Sequence, residues 1–264
     1  MWTWAVLLAL LGAAAGAGIL YLRPPAADVW EPAIAAFEAQ DRQRPPALGQ
    51  VVFVGGSSIR FWNALAADMA PVPVLNRGFG GARLSDLLHY ADRVILPYQP
   101  RAVVIYAGEN DLGSWCAWPG LVVERFGALV EHLRRSDPKT PILLLAIKPS
   151  PYFAARLERQ REANRRLRAY CEATPGLYFI DVASPLLDAG GRPRPELYQD
   201  DLHLNAAGYA LWRERVRPPL LAVLGLSSES AETGTASPVA PPAPDPFPAG
   251  SAPAPNAYSP RPNP

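Results

Sequence analysis

One serine and one histidine in this chain have types and neighbours that could activate a nucleophile. Ser57 follows the apolar run 51–54 and two glycines, and His203 lies in the run Asp-Asp-Leu-His at 200–203, just before an apolar helical pattern. A hydroxyl becomes a useful nucleophile when a base takes its proton and a third group orients the base. Asp200 stands three residues before His203, close enough to receive the imidazole N–H. Ser57 is therefore a candidate nucleophile, His203 a candidate base and Asp200 a candidate for the orienting carboxylate.

Each of these positions has a competing interpretation. Serine is a good helix N-cap, and Ser58 competes with Ser57 for the nucleophile position. Asp201 is the rival of Asp200. The other two histidines lie on helical patterns, which indicates structural or solvated side chains and leaves His203 as the candidate base.

Two further residues could stabilise negative charge on a reacting oxygen. Asn110 could donate its side-chain amide, and the backbone N–H of Gly81 could approach closely because Gly80 and Gly81 lack side chains. Either residue could instead be an ordinary turn residue.

The residues between these sites alternate between short apolar runs and helical patterns, which predicts buried parallel strands covered by helices on both faces. The predicted strands are Gln50–Val54, Val72–Asn76, Ala102–Ala107, Ile142–Ile147 and Leu177–Asp181. The predicted helices are Val29–Gln40, Ser58–Ala67, Leu84–Ala91, Leu121–Arg135, Phe153–Thr174 and Ala206–Leu224. The expected fold is therefore α/β, with three α/β/α layers and an open five-stranded parallel sheet. Ligand sites in such sheets gather at the carboxyl ends of the strands, where the candidate residues lie.

Composition narrows the possible partners. The 264 residues carry a net charge of +1, which argues against nucleic-acid binding. The two cysteines, Cys116 and Cys171, form no metal-ligand pattern and are interpreted as separate free thiols, with Cys171 in a helix core. No cofactor and no metal are implied.

The two ends of the chain differ from the middle. Residues Trp2–Leu22 form an apolar run of about the ~20 residues that a membrane span needs, so residues 1–23 are predicted to be an uncleaved anchor or, alternatively, a removable signal segment. Residues 24–48 are expected to be a linker with a short helix, and 49–226 the hydrolase-type domain. Residues 227–264 hold 11 of the 31 prolines and predict a disordered Pro/Ala/Ser-rich tail. The anchor favours a membrane-bound protein whose domain lies in the periplasm or outside the cell.

Four sequence blocks, taken together, resemble the SGNH hydrolases, also called GDSL-type esterases and lipases, over roughly residues 49–224. The run Phe53–Ile59 looks like the family's nucleophile block and Asn76–Gly81 its second block. Gly108–Asp111 resembles the third block, and Asp200–His203 the Asp-x-x-His block. The first two blocks look closer to a bacterial subgroup near the platelet-activating-factor acetylhydrolase-like branch than to the extracellular plant lipases. Gly56 stands where the family usually has Asp, which puts the local loop geometry in question more than the catalysis.

The resemblance implies a flavodoxin-like SGNH fold and carries roles to matching residues. It implies the triad Ser57, His203 and Asp200, and an oxyanion hole formed by the backbone N–H groups of Ser57 and Gly81 with the Asn110 side chain. The expected reaction is hydrolysis of a carboxylic ester, with short acyl or acetyl groups on a small molecule or glycan, through an acyl-enzyme. The alternatives are acyl transfer to a sugar or peptidoglycan hydroxyl, or a non-catalytic glycan-binding module.

Substrate preference is less well defined by the sequence. Four basic residues fall near predicted strand ends and could favour an acidic ester, although such residues are more often solvated or structural. These residues are Arg60, Arg77, Arg83 and Lys148.

Overall fold

A five-stranded parallel sheet forms the centre of the protein. The computed structural model describes residues 29–113 and 117–226. The strands are β1 Val51–Gly55, β2 Val74–Gly78, β3 Ala102–Tyr106, β4 Ile142–Leu145 and β5 Leu177–Ile180. Their spatial order is β2-β1-β3-β4-β5, so the chain reverses its direction of winding after β2. All pairs are parallel, which confirms the predicted sheet.

The helices cover both faces of this sheet. Their bounds are α1 Glu31–Gln43, α2 Ser57–Arg60, α3 Leu65–Asp68, α4 Leu84–Val94, α5 Pro119–Ser136, α6 Leu157–Glu172 and α7 Ala206–Val223. The fold is therefore the predicted three-layer α/β/α arrangement.

Alternating side chains of the strands divide the core into two layers. Val52, Val54 and Ile105 pack with α1, α4, α5 and α6 on one face. Val51 and Phe53 pack with α2, α3 and α7 on the other face. Because successive strand residues point to opposite faces, a fully buried strand such as β1 serves both layers at once.

The single helix predicted over Ser58–Ala67 is wrong, because this stretch forms the two short helices α2 and α3. Trp62 lies in the break, where it is 1% exposed and contacts Phe53 edge-to-face. Its indole N–H donates to Asp68, 2.6 Å away. Burying this ring and satisfying its N–H outweighs the continuation of one regular helix.

The first described helix is held to the domain by burial and by ion pairs. Ile34 and Phe37 of α1 enter the core, and Arg77 of β2 binds Asp41 at 2.5 Å. Arg77 also donates to the Tyr98 hydroxyl at 2.8 Å.

The predicted membrane segment, the tail from residue 227 and Cys116 lie outside the described residues. Among the residues that the structure does describe, no helix is both long and apolar enough to cross a bilayer.

Candidate active site

The sharp turn after β1 presents Ser57 at the carboxyl edge of the sheet. A Cβ on Gly55 would lie 2.1 Å from the Tyr106 carbonyl oxygen, so only glycine fits where β1 passes β3. The Gly56 N–H donates to that same oxygen at 3.2 Å. Ser57 then opens α2, while Ser58 is fully buried and its carbonyl accepts the Tyr209 hydroxyl at 2.9 Å. Of the two adjacent serines, Ser57 is therefore the accessible one.

The loop before α7 brings His203 to Ser57. His203 Nε2 lies 3.0 Å from Ser57 Oγ, and His203 Nδ1 lies 2.7 Å from Asp200 Oδ2. The backbone N–H of His203 donates to the other Asp200 oxygen at 2.7 Å. Asp201 instead occupies a left-handed turn position with φ +60°, and its carbonyl oxygen accepts the Tyr152 N–H at 3.0 Å. The three residues predicted as a triad thus form one hydrogen-bonded chain, and Asp201 does not take part in it.

Protonation of this chain follows from the surroundings of Asp200. Burial raises the pKa of its carboxyl group, but the hydrogen bonds from His203 outweigh burial, so the pKa lies below its ordinary value. Because an ionised carboxylate only accepts hydrogen bonds, Nδ1 must carry the proton. Nε2 is then free to accept the proton of Ser57 Oγ.

Neighbouring groups fix the histidine loop in place. The Phe61 ring contacts the imidazole of His203 edge-to-face, with 5.0 Å between ring centroids. Asn205 caps α7, its side-chain oxygen accepting the N–H groups of Ala207 at 3.0 Å and Gly208 at 3.1 Å. The ring contact and the cap therefore hold the imidazole and the end of its loop that leads into α7.

Two further loops place possible donors beside Ser57. The side-chain amide of Asn110 donates to the Ala82 carbonyl at 3.1 Å, and its nitrogen would lie 3.2 Å from a Cβ on Gly56. Gly81 has φ +82°, and Trp30 packs so closely that a Cβ there would meet its ring at 2.9 Å. Asn110 therefore bridges the nucleophile turn and the glycine loop.

The residue type at position 56 bears on this geometry. Because Asn110 Nδ2 lies so near the Cβ direction of Gly56, a side chain there would have to bend around the amide. Gly56 itself has φ −79°, an ordinary value that does not require glycine. The missing side chain therefore leaves the amide of Asn110 uncovered without altering the backbone of the turn.

The ion pairs around the site were not predicted from sequence. Lys148 is fully buried with Nζ 2.5 Å from Glu109 Oε1. Asp111 accepts the Leu84 N–H at 3.1 Å and pairs with Arg125 at 2.9 Å. Only their position after apolar strands marks them in the sequence, and that position alone does not name their partners.

Two of the four basic residues considered for substrate binding are internal instead. Lys148 pairs with Glu109, and Arg77 with Asp41.

Within the described ranges, no group of three or more His, Cys, Asp and Glu side chains could hold a metal ion. This geometry allows Ser57 Oγ to pass its proton to His203 Nε2, 3.0 Å away.

The parallel sheet in the order β2-β1-β3-β4-β5, with a serine after β1 and a histidine loop before the last helix, defines the protein as a hydrolase of the SGNH fold class. More particularly, the chain belongs to the GDSL-like lipase/acylhydrolase family, whose model matches residues 23–211.

Solved structures share this fold. A candidate platelet activating factor protein from Streptococcus pneumonia is 22% identical, with 73% of this chain and 89% of that chain covered at a TM-score of 0.60. A GDSL-like lipase from Bacteroides thetaiotaomicron is 18% identical, with 74% and 98% covered and a TM-score of 0.61. An acetylxylan esterase from Geobacillus stearothermophilus is 17% identical, with 69% and 97% covered and a TM-score of 0.50. No curated protein sequence matches the chain significantly.

Proposed function

We propose that the protein is a serine esterase that hydrolyses a carboxylic ester carrying a short acyl group, acetyl in the first instance. The observation that carries the proposal is the continuous chain from Ser57 Oγ through His203 to Asp200, with contacts of 3.0 and 2.7 Å. Membership of the acylhydrolase family supports the same reaction class.

The first half of the reaction forms an acyl-enzyme. Ser57 Oγ attacks the ester carbonyl carbon while its proton passes to His203 Nε2. The Asn110 amide and the backbone N–H groups of Ser57 and Gly81 donate to the carbonyl oxygen as it becomes negative. When the carbon–oxygen bond to the alcohol breaks, His203 gives its proton to the leaving oxygen.

The second half returns the enzyme to its starting state. Water gives a proton to His203 Nε2 and attacks the acyl carbon, and the same donors hold the second oxyanion. The bond to Ser57 Oγ then breaks and the serine oxygen recovers the proton. Asp200 stays ionised throughout and stabilises the transient imidazolium.

A short acyl group is favoured by the aromatic side chains around the site and by one structural neighbour. Trp30 covers Gly81, and the Phe61 ring stands against His203. We infer that the Phe61 ring, which lies against the reacting histidine, limits the space for a long acyl group. The acetylxylan esterase neighbour acts on an acetyl ester, which supports acetyl as the first acyl group to test.

A substrate panel tests this function directly. The panel comprises p-nitrophenyl esters from acetyl to long-chain acyl groups, together with acetylated sugars. We expect hydrolysis of the acetyl esters, with kcat/KM falling as the acyl chain lengthens, because the Phe61 ring against His203 should limit the space for a long acyl group. No turnover of any ester, together with no labelling of Ser57 by a fluorophosphonate, would refute the proposed function.

Removal of the Asn110 amide should slow the chemical step. Asn110→Ala is expected to lower kcat by on the order of 10²- to 10³-fold with little change in KM, because the donor acts on the oxyanion rather than on the bound ester. Steady-state kinetics with p-nitrophenyl acetate measure this. A loss confined to KM would assign Asn110 to substrate binding instead.

We also propose that residues 2–22 anchor the protein in a membrane and that the domain faces the periplasm or the exterior. The support is hydropathy alone, since an apolar run of this length suits a span of about 20 residues. The full chain is expected to sediment with membranes, whereas a chain starting at Asp28 stays in the supernatant. Mass spectrometry of the N-terminus distinguishes the alternatives, because a mature chain that begins between Ala15 and Asp28 would identify a cleaved signal peptide.

A further inference from the structure

A buried charge pair that the reaction above does not use adjoins the nucleophile turn and the loop 108–113 that carries Asn110, here called the oxyanion loop. Lys148 is 0% exposed and Glu109 5%, with 2.5 Å between Nζ and Oε1. The Tyr106 hydroxyl donates to the other carboxylate oxygen, Oε2, at 3.0 Å. Both oxygens of Glu109 therefore have a partner inside the protein. Burying two charges costs desolvation free energy unless both are well paired and hydrogen-bonded.

The members of this cluster stand at the carboxyl ends of neighbouring strands. Tyr106 ends β3, Lys148 follows β4, and Glu109 immediately precedes Asn110. The carbonyl oxygen of Tyr106 accepts the N–H of Gly56, the residue before Ser57. The cluster is thus connected to the nucleophile turn through Tyr106 and to the oxyanion loop through Glu109.

The negative charge of Glu109 affects the pKa values of three tyrosines around the site. Burial and the negative charge of Glu109 together raise the pKa values of Tyr106, Tyr198 and Tyr209. The Tyr209 hydroxyl binds the Ser58 carbonyl, and the Tyr198 hydroxyl binds the carbonyl of Pro149, next to Lys148. Glu109 therefore lies among the groups that hold the backbone on both sides of Ser57.

The oxyanion loop has a separate attachment that does not need this pair. Asp111 is bound to the start of α4 through Leu84 and to α5 through Arg125. The loop can therefore stay folded on that side without Lys148. What Lys148 adds is a second fixed point, on the β4 side, for the residue adjoining Asn110.

We propose that Glu109 and Lys148 form a positioning pair that aims the Asn110 amide at the oxyanion. This inference rests on the proposed esterase function, because its effect is read through the oxyanion. Gly108 has φ +108°, a backbone conformation that favours glycine, and a Cβ there would lie 2.7 Å from Ile147 Cδ1, so the turn before Glu109 packs directly against the residue that precedes Lys148. Without Lys148, the buried carboxylate would lose its counter-charge and would turn towards solvent, moving Asn110 with it.

The test removes both charges rather than one. The double variant Glu109→Met/Lys148→Met replaces the pair with apolar side chains of similar length, which restores much of the stability that Lys148→Met alone loses. We expect its kcat on p-nitrophenyl acetate to fall by about 10- to 100-fold, with KM changed less than about threefold, because small misplacements of a positioned group slow the chemical step. A double variant with wild-type kcat would overturn the proposal.

A second readout separates positioning from stability. If the pair acts through Asn110, then the cost of Asn110→Ala, on the order of 10²- to 10³-fold in the wild type, should be smaller in the double variant by about the factor that the double variant has already lost. An equal cost in both backgrounds would show that the pair is only structural. Tyr106→Phe, which keeps the ring and removes only the hydroxyl, provides the same comparison if the double variant does not fold. There kcat should fall by about three- to tenfold, and unchanged kcat would count against the proposal.

The protein contains a matched control. Arg77, Asp41 and Tyr98 form another cluster of a cation, a carboxylate and a tyrosine hydroxyl, with Asp41 on α1. Asp41→Asn should lower Tm while leaving kcat near the wild-type value, so a loss of stability alone would not imitate the effect. A wild-type protein with neither ester turnover nor fluorophosphonate labelling would refute the proposed function and this inference with it. Normal wild-type activity with an unaffected double variant would refute only the inference.

Discussion

Replacing Ser57 with alanine should lower kcat on p-nitrophenyl acetate by on the order of 10⁵- to 10⁶-fold, because the variant has no atom that can form the acyl-enzyme. The remaining turnover should come from the oxyanion donors and from bound water. Binding of the ester should change little, since the hydroxyl contributes to the chemical step. Steady-state assays over a range of concentrations of the same ester give kcat and KM separately.

The adjacent serine is the matched control for that experiment. Ser58 is fully buried, and its carbonyl, which any residue would supply, binds Tyr209. Ser58→Ala should therefore change kcat by less than about threefold. Fluorophosphonate labelling followed by peptide mapping provides an independent result, with modification at Ser57 alone. A labelled Ser58 beside an unmodified Ser57 would contradict the assignment of the nucleophile.

Asp200→Asn, which replaces one carboxylate oxygen with an amide nitrogen and keeps the size of the side chain, should lower kcat by about 10³- to 10⁴-fold. In the wild type, the carboxylate accepts the proton on His203 Nδ1 and leaves Nε2 as the acceptor facing Ser57. An asparagine amide placed against Nδ1 would donate instead, so the neutral imidazole would carry its proton on Nε2. Such a histidine cannot take the serine proton. A pH profile of kcat/KM measured alongside shows whether the loss persists at every pH, as a wrong tautomer requires.

Asp201→Asn is the control with the same chemical change one residue later. Asp201 has φ +60°, and asparagine tolerates this left-handed conformation as well as aspartate does. Its side chain is not part of the hydrogen-bonded chain to Ser57, so kcat should stay within about threefold of the wild type. Equal losses in the two variants, or a larger loss at position 201, would overturn the pairing of Asp200 with His203.

The regular elements of the sheet could be predicted from sequence because they depend on local pattern. Runs such as Ala102–Tyr106 are short, apolar and rich in β-branched residues, and they were predicted as buried parallel strands to within two residues at either end. The helix after the nucleophile could not be predicted in the same way. Its break at Trp62 depends on a core pocket formed by Phe53, Tyr209 and Trp212, which are distant in sequence.

The candidate site shows the same division between local and distant information. The order of the four blocks was sufficient to nominate Ser57, Gly81, Asn110, Asp200 and His203, and these residues do meet at one edge of the sheet. Their catalytic roles remain predictions for the experiments above.

By itself, the sequence determined the fold class, the family and the segments that contribute to the site, because strand periodicity and block order are properties of the linear chain. The tertiary structure decided between neighbours of identical type. Ser57 faces His203 while Ser58 is buried, and Asp200 binds the imidazole while Asp201 forms the turn. It also decided that Lys148 pairs with Glu109, 39 residues earlier. Such choices depend on the backbone direction at one residue and on contacts across the sheet, and neither is encoded in residue type and spacing alone.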